Sequence, residues 1–119
     1  MPTPSLHFPK SARLLTASQF TRVFERNSHR AGAKHALVLG STNDLTQSRL
    51  GLVVAKKHVR LAHERNRVKR LVREHFRQHP LQTPLDVIFL ARKGLAELSN
   101  REIETLLADL WNTLVSVRQ

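Results

Sequence analysis

Cysteine is absent from all 119 residues, which removes disulfides, thiolate zinc sites and a cysteine nucleophile at once. That usage suits a reducing compartment, and a cytoplasmic location is the expectation. Long apolar runs are missing too. Stretches such as Val87 to Ala91 fall far short of a bilayer span, and the opening Met-Pro-Thr-Pro-Ser lacks the apolar centre of a signal peptide. Acids are scarce: nine stand against 20 lysines and arginines, a formal charge of +11. Such a density on a small body repels itself unless a polyanion is near, and nucleic acid is the expected one. An anionic membrane would need a broad Trp, Phe and Leu face left over from the core. The apolar pattern of the chain leaves none, so no membrane partner is expected.

Carboxylate clusters are lacking as well. Asp44, Asp86 and Asp109 are scattered, whereas metal-assisted phosphoryl chemistry within a protein wants its acids together. Seven histidines make accidental pairs easy to find. His75 and His79 stand four apart, a spacing that can bind metal, but no third ligand is suggested and His75 falls on the packed face of its helix. Acid-base cleavage of a phosphodiester needs two groups held on opposite sides of the phosphate, and no such pair is indicated. No catalytic residue is assigned.

What remains is enough for one α+β domain. At 40% hydrophobic the chain closes one core and is too short for two. Pro2, Pro4 and Pro9 mark residues 1–13 as an extended or mobile lead-in, with the domain over 14–119. Thr16 to Gln19 matches a capping box, and Phe20, Val23 and Phe24 follow at helical spacing, so a first helix is expected over 17–27. Lys34 to Gly40 and Arg49 to Lys56 read as two strands joined through the loop residues Ser41 to Asp44. Leu85 to Ala91, bounded by Pro84 and Gly94, reads as a strand buried on both faces at the centre of the sheet. Between these strands, Glu64 to Gln78 carries Val68, Leu71, Val72, His75 and Phe76 at helical period and ends before Pro80. Ser99 to Glu102 is a second capping box, followed by Ile103, Leu106, Leu107, Leu110, Trp111 and Leu114 on one stripe. The order helix, strand, strand, helix, strand, helix predicts a compact two-layer sandwich with a small sheet of three to four strands.

The charge is concentrated. Between Arg49 and Arg77 stand ten lysines and arginines against Glu64 and Glu74 alone, while the last helical segment is mildly acidic. On a wheel of roughly 100° per residue, Asn66, Arg70, Arg73 and Arg77 lie opposite the apolar stripe, Arg67 and Lys69 flank them, and Arg65 leans toward the packed side. Guanidinium forks at this spacing suit a phosphate backbone, each gripping two oxygens. A solvated helix face is the bland alternative, but too few acids stand nearby to neutralise so many like charges. Neither Arg67 nor Arg70 is expected to anchor the core.

Gly51-Leu-Val-Val-Ala-Lys-Lys57, Arg65-Asn-Arg-Val-Lys-Arg70 and Leu71-Val-Arg-Glu74 together resemble the signature of the bacterial ribonuclease P protein subunit. The likeness extends to Phe8-Pro-Lys10, to Arg13 through Phe20 with Val23-Phe24, and to Ala91-Arg-Lys-Gly94, so it covers most of the chain in order. The resemblance implies a cytoplasmic ribonucleoprotein endonuclease that removes the 5′ leader from precursor tRNA. Its catalyst would be an RNA subunit using Mg²⁺ held mainly by RNA, with Asn66 as the one side chain expected near a metal. By matching positions, Arg65, Asn66, Arg67, Lys69, Arg70, Arg73 and Arg77 would contact the catalytic RNA, and Lys56, Lys57 and Arg60 would extend that surface. Phe20 and Phe24 would stack leader bases in a cleft between the first helix and the sheet. Both also sit at core spacing, so burial is the competing reading. His35-Ala-Leu-Val-Leu39 holds only aliphatics inside the strand where many relatives carry an aromatic, so weaker stacking is expected. The family also implies an unusual left-handed crossover through the second helix. A ribosomal-type structural RNA-binding protein is the alternative reading; a DNA-binding helical module is disfavoured by the strands and the buried last helix, and no DNA partner is expected.

Overall fold

Local capping chemistry starts two of the three long helices. The computed structural model describes residues 9–116. In it, Thr16 Oγ1 accepts from the Gln19 amide at 3.3 Å and Gln19 Oε1 accepts from the Thr16 amide at 3.1 Å, opening α1 (Ala17–Arg26). Ser99 and Glu102 exchange the same pair of bonds, at 3.1 and 2.8 Å, ahead of α3 (Asn100–Ser116). α2 (Ala62–Gln78) has no such cap at Leu61. There Arg65 reaches back instead, its Nη1 donating to the carbonyls of Val59 at 3.1 Å and Arg60 at 2.9 Å.

Four strands form one sheet in the order β1-β2-β4-β3: β1 (His29–Gly32), β2 (Ala36–Thr42), β3 (Arg49–Val53) and β4 (Leu85–Ala91). β4 is central, antiparallel to β2 and parallel to β3, with α2 as the crossover between the parallel pair. Its burial on both faces is what the nearly continuous apolar run predicts. β1 lacks such a signal: it is short, polar and at the sheet edge, where a strand packs only one side chain in full, here Ala31. Three strand limits also differ from the sequence reading. β2 begins only at Ala36, after the Ala33 amide has closed a turn on the Ala36 carbonyl, and it continues through Ser41 and Thr42, which read as loop. β3 stops at Val53 because Ala55 accepts from the amides of His58 and Val59, turning the chain toward α2.

The sheet separates two apolar layers. Ala36, Val38, Val87 and Phe89 face α2 and α3 and join Val68, Val72, Leu107 and Leu114 in the main core. Leu39 and Ile88 face the other way, against Leu14 and Val23, with Phe20 packed beside them. The register aligns Arg49 with Asp86, and that buried carboxylate accepts from Arg49 Nε at 2.8 Å, Arg49 Nη2 at 2.6 Å and Asn43 Nδ2 at 2.8 Å. Asp86 is thus a structural anion with its oxygens occupied. Of the lead-in expected over residues 1–13, residues 1–8 lie outside the described ones. Lys10–Ala12 form a turn of 3-10 helix, and Arg13 bridges to Leu50 on β3.

Candidate nucleic-acid interface

The helical period of α2 sorts its side chains as the wheel requires. Val68, Val72, His75 and Phe76 are buried, and Asn66 and Arg70 are exposed on the far side. The remaining cations occupy four distinct settings. Arg65 is bound to the loop carbonyls of Val59 and Arg60. Arg77 is paired with Glu74 one turn away. Lys69 and Arg73 are half-buried and line a crevice of about 180 Å³ with Arg13, Leu14, Phe20, Leu50, Gly51 and Leu52.

Arg67 corrects an expectation. Its Nε donates to Glu64 Oε1 at 2.8 Å, Nη1 to Asn100 Oδ1 at 2.6 Å, and Nη2 to the carbonyls of Ala96 at 3.0 Å and Leu98 at 3.2 Å. A guanidinium has five N–H donors, and these four acceptors take most of them. Arg67 therefore clamps α2 to the segment that leads into α3, contrary to the expectation that it does not anchor the core. No periodicity argument could find this, because the acceptors on that segment lie about thirty residues downstream.

In the crevice, an aromatic ring and cations meet across three elements. α1 presents Phe20 to β3 at Gly51, where an added methyl group would come within 2.6 Å of the ring. The absence of a side chain at Gly51 is what lets the ring lie on the strand. Burial first, and then the neighbouring Arg13, pull the Arg73 pKa below the ordinary arginine range. Arg13 opens one of the stretches that carry the family resemblance but has no site role in the sequence reading; it reaches the crevice because its backbone pairs with β3. Phe24, one turn beyond Phe20, is 44% exposed, so core burial does not account for it.

Among the described residues no three His, Cys, Asp or Glu side chains come together as a metal set, and Asn66 is a lone neutral amide on an exposed face. The chain's own described residues do not fit a metal site. His75 stacks on His79 at a centroid distance of 4.0 Å and meets the Trp111 ring edge-on at 4.9 Å. Burial first, and then His79, lower its pKa to about 4, leaving it neutral and enclosed at neutral pH. No described helix is long and apolar enough to cross a membrane.

The Ribonuclease P family model matches residues 8–115, which include both the crevice and the α2 face. The chain belongs to the Ribonuclease P family. It is 50% identical over 107 residues to the Ribonuclease P protein component of Yersinia enterocolitica, covering 89% of each chain. The Pectobacterium atrosepticum protein component matches at the same identity and coverage. The ribonuclease P protein of Staphylococcus aureus superposes with a TM-score of 0.78 at 27% identity, covering 87% of this chain and 94% of that one. That of Thermotoga maritima gives 0.74 at 28% identity, covering 90% and 98%. Ribonuclease P membership therefore rests on sequence and fold together, and the mixed α+β fold expected from the sequence is shared with solved ribonuclease P proteins.

Proposed function

We propose that this chain is the protein subunit of ribonuclease P, binding the catalytic RNA and the 5′ leader of precursor tRNA so that the leader is removed. Family membership carries the coarser statement, an RNA-binding component of an endoribonuclease holoenzyme taking part in tRNA 5′ processing. The observation that supports the finer one is the crevice. Phe20 lies on Gly51 while Arg13, Lys69 and Arg73 border the same space. A flat ring receives any base by stacking, worth about 1–3 kcal/mol per base, and the flanking cations take the connecting phosphates, so leaders of many sequences fit. Phe24, exposed one turn further along α1, would offer a second ring. The catalytic RNA is assigned to the outer face of α2, chiefly Asn66 and Arg70, with Lys56, Lys57 and Arg60 beyond it. Arg65 and Arg67 hold that face in place.

Catalysis in this reading belongs to the RNA. Mg²⁺ would be held by RNA phosphates, since the described residues gather no carboxylates for it. The chain's part, in the cytoplasm, is to neutralise, orient and retain the substrate. The test is cleavage of a 5′-extended precursor tRNA at low Mg²⁺ by bacterial ribonuclease P RNA alone, this protein alone, and both. Efficient cutting at the mature 5′ end only by the combination is expected. Cutting by the protein alone, or no gain from adding it, would overturn the proposal.

A further inference from the structure

Three segments far apart in sequence carry cations that lie outside the crevice and off α2. β2 begins at Ala36 opposite Ala91, the last residue of β4, and β3 ends at Val53 opposite Leu90. The turn at 33–35, the segment 54–58 and the loop 92–94 therefore leave the sheet at the same end. They bring Lys34, Lys56, Lys57 and Lys93, all exposed, to one rim. None of the four makes an ion pair among the described residues, and no acid occurs in 33–35, 54–60 or 92–96. Glu64, at the start of α2, is committed to Arg67.

The rim is also held rigid. The Arg92 amide donates to the His35 carbonyl at 2.9 Å, Arg92 Nη1 to the Ala33 carbonyl at 2.9 Å, and His35 Nδ1 to the Lys93 carbonyl at 3.0 Å. Gly94 takes a left-handed φ of 90°, and the His35 ring lies where a side chain at 94 would project. These bonds use backbone atoms and the Arg92 and His35 side chains, so the ammonium groups of Lys34 and Lys93 project from a locked turn and loop. Uncompensated like charges on preorganised backbone oppose folding, and a polyanion relieves them.

From this we infer that the rim formed by Lys34, Lys56, Lys57 and Lys93 is a second phosphate-binding surface, continuous with α2 and occupied by the backbone of a double-helical part of the catalytic RNA. The inference rests on the proposed function and deepens it. Lys56 and Lys57 connect the rim to the start of α2, where Arg65 fixes the intervening loop. A duplex backbone is the matching occupant because no Phe or Trp lies in the three rim segments, whereas single strands are held by aromatic platforms.

The experiment is binding of bacterial ribonuclease P RNA to the full chain across a salt series, for the native protein and the Lys34→Ala/Lys93→Ala, Lys34→Arg/Lys93→Arg and Arg70→Ala variants. The double alanine variant is expected to bind more weakly, with a slope of log affinity against log salt shallower by between about one and two. The arginine pair should keep the native slope, and thermal melting should be unchanged in both. An unaltered slope in the alanine pair, with Arg70→Ala showing its own loss, overturns this inference alone. If Arg70→Ala is silent as well, the functional reading fails with it. Native affinity for the RNA in the alanine pair, combined with poorer uptake of precursor tRNA by the reconstituted holoenzyme, would transfer the rim to the substrate and refute the assignment to the catalytic RNA.

Discussion

Replacing Arg67 by Ala removes four hydrogen bonds in one step and leaves Glu64 and the carbonyls of Ala96 and Leu98 without their donor. The side chains of Arg67 and Glu64 are 19% and 25% exposed, so water replaces part of what is lost. The Asn100 bond lies at the surface and counts least. Bonds to a charged donor contribute about 1.5–3 kcal/mol each when well enclosed. With partial rehydration and the flexibility of the exposed partner, the variant should lose about 2–4 kcal/mol in total. For a domain of this size that is a fall in melting temperature on the order of 8–15 °C. Arg70→Ala is the contrast, since Arg70 is exposed and should change stability by no more than about 0.5 kcal/mol. Melts of both variants by circular dichroism, followed by RNA titrations at several salt concentrations well below the melting range, separate the two roles. Arg70→Ala should make the salt dependence shallower without moving the melt, and Arg67→Ala should move the melt while leaving the slope near native. A melt of Arg67→Ala indistinguishable from native would refute the clamp and return that guanidinium to the RNA.

Three further outcomes are expected. Gly51→Ala places a methyl group within 2.6 Å of the Phe20 ring and should push the ring out of the crevice at a cost of about 1–3 kcal/mol; leader-dependent affinity of the holoenzyme for precursor tRNA should fall while affinity for the catalytic RNA stays native, and an unchanged leader dependence would count against the stacking role. Asp86→Ala strands the Arg49 guanidinium in a partly buried site and should cost about 3–5 kcal/mol, measured by urea unfolding; a loss under about 1 kcal/mol would show that the pair is dispensable. His75, with its pKa lowered to about 4 from an unfolded value near 6.5, binds fewer protons when folded, so its contribution to stability is intact above about pH 6.5 and is lost as pH falls toward 4. The melting temperature should drop over that window, and His75→Leu should flatten the drop; an equal slope in the variant would place the titrating group elsewhere.

Capping and periodicity made much of the fold readable along the chain. Both capping boxes form, because the Thr16–Gln19 and Ser99–Glu102 bonds join residues three apart and need nothing from the rest of the protein. The central place of β4 followed from an apolar run that only burial on two faces explains. β1 escaped notice because an edge strand packs little, so His29 to Gly32 has almost no apolar pattern to show. The exposed positions of Asn66 and Arg70 were readable for the same reason as the helix itself: a polar stripe opposite an apolar one is a local property of α2.

The sequence by itself determined the charge and its concentration around α2, the three long helices, the central strand and the family signature, since each depends on residue type and short-range spacing. Tertiary structure alone decided which cations hold the fold and which stand free. Arg67 and Arg70 are three residues apart and chemically identical, yet one meets Ala96, Leu98 and Asn100 and the other meets solvent. The same holds for the crevice, where Arg13, Phe20, Gly51 and Arg73 come from four separate stretches of chain. The physical reason is that a guanidinium or a ring takes its role from the acceptors and surfaces within a few ångströms, and strand register and helix packing bring those from anywhere in the chain.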